Sequence, residues 1–440
     1  MSNGPGLQSA VGIAAERPAP RRPSSRPRVL FLNRSYWPDG EATGQLLTEL
    51  TEDLADRFDV SVVAGLPNTN PSNESFPLFR TVTRNGVAIH RVPHTRLPKR
   101  WLPARAVNFI TFLLLATARA TCCRRQDVLV VETDPFLLAF AGAVLRLRHR
   151  GRLVVYLQDI HPDVGVAVGR LKETRLTRFL RTALLAVYRR ADRVVVLSRD
   201  MRDTLVTADV PARSIACLPN WTDIDQIRPA AGVSRFRTRA GITPETFLVM
   251  YSGNLGVTQQ LERVLDAAEQ LLNRRDVLFA FVGGGAAESE LRSAVERRGL
   301  SNLRFFPYQP KEDLGDSLSA ADLHVITVHP AALAFLMPSK FYGILAAGRP
   351  VVAAAHAASE LATEILENRV GYVVPPGDAA ALSQTIANAA DRREELAAFG
   401  ERARRLAEST YDRRLVTSRF GDLLDEVFDG SQGQKEPAAA

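Results

Sequence analysis

Lys340 stands in the stretch MPSKFYGILAAGRPVV (337–352), at the mouth of what reads as one short helix. Pro338 and Ser339 form a start signal, and Gly348 followed by Pro350 forms a stop. Between them Phe341, Ile344 and Leu345 fall at helical spacing, which predicts one buried face. A cation in a first turn is repelled by the positive end of the helix dipole. An anion between the two reverses this, because the free N–H groups and the ammonium then converge on one charge. The chemistry predicted here is phosphate binding, with Ser339 and Lys340 as contacts.

Three glycine-rich turns extend the pattern: Asp39-Gly40-Glu41-Ala42-Thr43-Gly44, Ser252-Gly253-Asn254-Leu255-Gly256 and Gly283-Gly284-Gly285. Each follows an apolar run, and backbone geometry alone explains a single such turn. Together with PSK they occupy equivalent strand ends, where open α/β sheets bind ligands, and so predict a cleft.

The elements that position these turns alternate. RVLFL, a helical stretch over 43–58 and VSVVAG make strand, helix, strand, and DVLVVET (127–133), RLVVYLQD (152–159) and DRVVVLS (192–198) continue it. The rhythm restarts at FLVMYSGNL (247–255), with a helix over 258–273 and VLFAFVGGG (277–285) next. NLRFFPY, DLHVITV, the PSK helix, PVVAAA and a long helical stretch complete it. The fold class expected is α/β, two Rossmann-like doubly wound domains facing a central cleft. The expected division is a tail over 1–27, domains over 28–222 and 223–410, a helix over 411–430 and a tail over 431–440. Ala106–Ala118 is strongly apolar between basic flanks, too short to span a bilayer of about 30 Å. It reads either as an interfacial helix or as a core helix of the first domain.

The 440 residues suffice for two full cores, and three cysteines make no disulfide framework. The net charge of +8 is uneven. Residues 1–226 hold 32 Lys and Arg against 21 Asp and Glu, whereas 227–440 hold 24 against 27. A basic first half suits an anionic membrane surface or a phosphate-bearing acceptor. The basic residues lack interleaved aromatics, which disfavours a nucleic-acid partner. No metal site is expected, and GxSxG and GxxxxGK[ST] are absent, so serine hydrolase and P-loop chemistry lose their markers.

YWPDGEATGQLLTEL (36–50), YLQDIHPDVGVAVG (156–169), LPNWTD (218–223), YSGNLG (251–256), FVGGG (281–285), PSKFYGILAAGRPVV (338–352) and GYVVPPGD (371–378) resemble, in family order, glycosyltransferase family 4. The branch resembled is the bacterial one that builds exopolysaccharide or O-antigen units, with colanic acid and fucosamine-type transferases. The resemblance implies the GT-B architecture, a retaining reaction, no cofactor and no bound metal. It places the nucleotide-diphosphate sugar, taken to be UDP-linked, in the second domain and a polyprenyl-diphosphate-linked saccharide in the first. The protein would then be cytoplasmic and peripheral at the inner face of the membrane.

The donor contacts implied are Gly253, Asn254, Gly256, Gly283, Gly284, Tyr308, Ser339 and Lys340. Gly40, Glu41, Thr43 and Gly44 face the acceptor, and Asp159, His161 and Lys340 are the catalytic candidates. Two glutamates that the family carries eight positions apart are Phe335 and Gly343 here. Glu360 is the nearest replacement for the ribose contact, and Arg349 an assisting charge. Asn254 and Gln259 stand where the family has cations, and Gln158 where it has a histidine. These departures leave open a rearranged site, an inactive nucleotide-sugar-binding subunit, or an epimerase on the same two-domain plan.

Overall fold

The computed structural model describes residues 26–67, 81–97, 102–230 and 232–432. The first domain runs β1 (Arg28–Leu32), α1 (Ala42–Leu54), β2 (Asp59–Gly65), β3 (Thr81–Arg84), β4 (Val87–Val92), α2 (Leu102–Thr121) and β5 (Val128–Val131). It continues with α3 (Leu138–His149), β6 (Arg152–Tyr156), α4 (Asp163–Ala167), α5 (Arg175–Tyr188), β7 (Arg193–Val196), α6 (Arg199–Thr207) and β8 (Ile215–Cys217). The second holds α7 (Arg235–Ala240), β9 (Phe247–Ser252), α8 (Glu262–Gln270), β10 (Val277–Val282), α9 (Glu288–Arg298), β11 (Leu303–Phe306), α10 (Leu314–Ser319) and β12 (Leu323–Thr327). Then come α11 (Lys340–Ala346), β13 (Val351–Ala354), α12 (Glu360–Glu367), β14 (Gly371–Val374), α13 (Ala379–Asp391), α14 (Arg393–Leu406) and α15 (Arg413–Gln432).

The first sheet has the order β3-β4-β2-β1-β5-β6-β7-β8 and the second β11-β10-β9-β12-β13-β14. Apart from the antiparallel β3–β4 edge, every pairing is parallel. Runs such as FLVMY and VLFAFV are apolar on both faces because helices cover both sides of such a sheet. Strand order reverses beside β1 and beside β9, so the crevices lie where the chain leaves those two strands.

The chain crosses between domains twice, and the crossings run side by side. Thr222 N–H donates to Tyr411 O, and Arg413 N–H to Thr222 O. α15 lays Phe420 against Phe31 and Tyr156 of the first sheet. It ends at Gln432, two residues past the expected boundary, and Pro27 O already accepts from Asp59 N–H. Most of both expected tails lies outside the described residues. α2 packs on the first sheet as a core helix along one side and leaves the other side uncovered among the described residues. Asn108, Phe112, Ala116 and Ala120 are buried against the first sheet, while Val107, Ile110 and Leu114 are exposed. None of the described helices is long and apolar enough to cross a membrane.

Candidate active site

The donor-side candidates converge at the carboxyl ends of β9 and β10. Gly253 N–H donates to Val282 O, and Leu255 N–H to Gly284 O, both at 2.9 Å. Gly253 and Gly283 have φ of +130° and +138°. A Cβ on Gly283 would overlap the Gly253 carbonyl, and one on Gly285 would lie 2.5 Å from Leu255 O. Two backbones thus pack with no room for side chains between them, although the Gly253 and Gly283 amides are themselves spent on Val282 O and Phe306 O, and Glu288 lies beside Gly284. Tyr308, exposed, closes one side by donating its hydroxyl to Gly284 O at 2.9 Å.

Lys340 reaches this cradle from α11. Its ammonium nitrogen sits 3.4 Å from the centroid of the Tyr251 ring, and a Cβ on Gly253 would lie 3.7 Å from it. It is buried, with no hydrogen-bond partner among the described residues. Burial therefore holds its pKa well below the ordinary lysine value. Ser339 departs from the expected start signal. It is exposed and occupies the cap position with helical dihedrals and no side-chain bond, while the turn is closed by Phe341 N–H on Pro338 O. Asn254 is exposed, with its amide against Gly256. Arg349 lies elsewhere. It precedes β13, at the amino end of the sheet, facing Arg237 and Asp322, and this opposite edge cannot bring it to the cradle.

On the facing domain, the loop after β1 is built by side chains. Ser35 donates to Asp134 at 2.7 Å or to Glu41 at 3.1 Å, and Arg34 pairs with Asp134 at 3.1 Å. Gly40 and Glu41 are exposed, Thr43 is half-buried, and Gly44 is packed against Ser35 and the Tyr36 amide. Asp159 and His161 lie beyond β6, with Nε2 4.0 Å from Oδ2 and the imidazole stacked on Phe136. Burial raises the Asp159 pKa and lowers that of His161, so the pair favours a neutral imidazole at neutral pH. Asp159 also forms a one-residue antiparallel bridge with Leu336, and Ile160 N–H donates to Phe335 O at 2.9 Å. That ties the catalytic candidates of one domain to the segment leading into Lys340 of the other.

Two family models divide the chain between them. The glycosyl transferase 4-like domain matches residues 42–221, and the glycosyl transferases group 1 model matches 234–406. The chain belongs to glycosyltransferase family 4. It is 28% identical over 416 residues to WcaI of Escherichia coli K12, a protein named for colanic acid biosynthesis, covering 89% of this chain and 98% of that one. It is also 28% identical to WbjE of Pseudomonas aeruginosa, named as a glycosyltransferase, over 77% of this chain and 83% of that one. The fold superposes on Anabaena HepE, solved in complex with UDP, with a TM-score of 0.68 at 18% identity, covering 91% of this chain and all of that one. The architecture is GT-B.

Within this glycosyltransferase, Glu360 is engaged across the domain boundary. Its carboxylate accepts from the Arg199 amide and lies 3.7 Å from the Arg199 guanidinium, and its own amide donates to Asp200 at 2.9 Å. Two helix starts, α6 and α12, thereby cap one another, which suits two carboxylates at positive dipole ends. The structure does not bring Glu360 to Lys340 by any contact it records. Spacings that imitate metal-ligand pairs occur at His90/His94 and Asp223/Asp225. His90 bonds Thr81 and Arg119, His94 packs edge-on against Phe112, and burial drives both down to about 4. Asp223 caps the Asp225 and Gln226 amides. Among the described residues no group of three His, Cys, Asp or Glu gathers as a ligand set.

Tyr251 went unread in the sequence, where YSGNLG counted for its glycines. It lies two residues before Gly253, and the two-residue period of a strand puts both on one face, which was the available signal. Glu132, one residue past β5, is a second omission. Both carboxylate oxygens are buried without a hydrogen-bond partner among the described residues, and burial holds its pKa well above the usual range.

Proposed function

We propose that the protein transfers a sugar, with retention, from a UDP-linked donor to a lipid-linked saccharide at an anionic membrane surface. Lys340 carries this reading. A buried ammonium over a ring face, with no hydrogen-bond partner among the described residues and beside close-packed glycine backbone, suits a diphosphate. The leaving diphosphate can take the acceptor proton itself, so the protein contributes position and charge stabilisation. Asp159 and His161 border the route of that proton, and Tyr308 offers a face to the base. The UDP complex of HepE and the colanic acid naming of WcaI support the donor and the acceptor class.

A membrane surface fits the helices of the first domain. α3 packs on both α2 and α5. Leu114 of α2, Leu147 of α3 and Phe179 of α5 are 63%, 79% and 67% exposed, among exposed Arg105, Arg148, Arg175 and Arg178. Exposed apolar side chains on packed helices that also carry exposed arginines suit an anionic interface. Anionic vesicles are expected to sediment the wild type and to leave Leu147→Ser/Phe179→Ser in solution.

The deciding experiment is calorimetric titration of UDP, GDP and ADP into the wild type and Lys340→Ala. UDP is expected to bind, and the variant to lose about 1.5–3 kcal/mol, roughly ten- to a hundredfold. Absence of binding by all three, or an unchanged variant, overturns the reading. One observation favours an inactive nucleotide-sugar-binding subunit instead: Phe335 and Gly343 replace the family glutamates while Glu360 is held by Arg199. That subunit would bind UDP yet release none from UDP-sugars in the presence of membrane lipid acceptors.

A further inference from the structure

We infer that Tyr251 is a positioning residue for donor binding: its ring carries the Lys340 ammonium, and its hydroxyl fixes the turn beside it. This rests on the donor reading above. Tyr251 is buried in the middle of the second domain, on the strand that ends in the cradle. The ammonium lies over its face at 3.4 Å, and Phe281 meets the ring edge-on at 5.9 Å. The hydroxyl donates to Asn254 O at 2.9 Å, within the Gly253–Gly256 turn.

A buried ammonium without a hydrogen-bond acceptor is costly, and among the described residues the negative face of the Tyr251 ring is the compensation recorded. Desolvated cation–π pairs are the strong ones. The ring therefore favours the charged form against the burial that opposes it and aims the lysine, so that the anion meets a preformed site and little ordering remains to be done on binding. A rotated or neutral lysine would take the cation away from the glycine turn. One side chain thus serves both halves of the cradle, the cation through its face and the backbone through its edge.

The test separates the ring from the hydroxyl and from the donor reading. Tyr251→Phe keeps the ring, and UDP affinity is expected to stay within about threefold. Tyr251→Leu and Tyr251→Met remove it and are expected to lose about tenfold, within the range of desolvated cation–π pairs. The same substitutions placed on Lys340→Ala should cost nothing further, because coupled residues are non-additive. Equal losses with and without Lys340 would make Tyr251 a core residue only and overturn the inference.

A second readout needs no nucleotide. The chain has five lysines, so selective 13C labelling gives five Cε signals, with Lys340→Met assigning the one concerned. The Lys340 titration midpoint is expected to fall in Tyr251→Leu and Tyr251→Met and to hold in Tyr251→Phe. An unmoved midpoint overturns the inference. A shifted midpoint in a protein that binds none of the three nucleotides would retain the pairing and remove the donor reading.

Discussion

The two strand-end loops that face each other are made of different material. Behind β9 and β10 the contact surface is mostly backbone: Gly253, Gly283 and Gly285 approach so closely that no side chain fits between them, with Lys340 on one side and Glu288, paired with Arg292, beside Gly284. Behind β1 and β5 it is side chain: Arg34, Ser35, Glu41 and Asp134 are bonded to one another around a loop whose Gly40 has open space where a Cβ would go. A diphosphate has the same shape in every nucleotide sugar, and a rigid backbone cradle suits it. Acceptors differ in hydroxyl pattern, and a network of side chains can be exchanged one residue at a time. The comparison teaches that tolerance to substitution should differ sharply between the loops.

Gly283→Ala should break the backbone side hardest. The methyl must displace the Gly253 carbonyl at a φ that alanine avoids, so a loss of about 3 kcal/mol or more in thermal stability is expected, with UDP binding abolished in calorimetry. Asp134→Asn tests the other side. It removes the charge that holds Arg34, so kcat/KM for acceptor should fall about ten- to thirtyfold while UDP affinity is unchanged. Loss of UDP binding in that variant would erase the division of labour.

Glu132→Gln sharpens the comparison below the loop. The folded carboxyl stays protonated where an unfolded glutamate ionises, so the folded state binds more protons, and stability falls as pH rises above the ordinary glutamate range. The slope from this group is at most about 1.4 kcal/mol per pH unit. Melting curves should therefore show the variant pulling ahead of the wild type as pH rises above the ordinary glutamate range, and a constant gap would refute the buried neutral acid. Gly44→Ala is the mildest. Its Cβ would meet the Tyr36 amide at 3.2 Å, a contact that small shifts relieve, and alanine gains helix propensity in α1. A change within about 1 kcal/mol in melting is expected.

Fold and cleft were legible because they rest on local signals. Uninterrupted apolar runs mark parallel strands, and glycines mark the turns that leave them, so both sheets and the strand ends follow from reading along the chain. The edge pair β3 and β4 escaped notice, since Thr81–Arg84 alternates weakly and pairs only at the rim. Lys340 could be read as a cation at a helix start, because dipole and charge are both local quantities. What holds it was not, for Tyr251 lies 89 residues away in sequence and nothing local signals the contact. Glu360 shows the same limit. Its place at the start of α12 could be read, but Arg199 and Asp200 approach from the other domain, and only packing brings them there. Arg349 was misplaced for a simpler reason: a residue before a strand sits at the opposite edge of the sheet from one after it.

The bond from Ile160 N–H to Phe335 O has a consequence for kinetics in deuterated water. Its donor and acceptor belong to different domains, so no helix or sheet of either one protects that amide. Global unfolding is not required to expose it; parting the cleft is enough. Its exchange rate with solvent deuterium is therefore a clock for how often the two halves of the enzyme separate, and any ligand that bridges them must slow that clock.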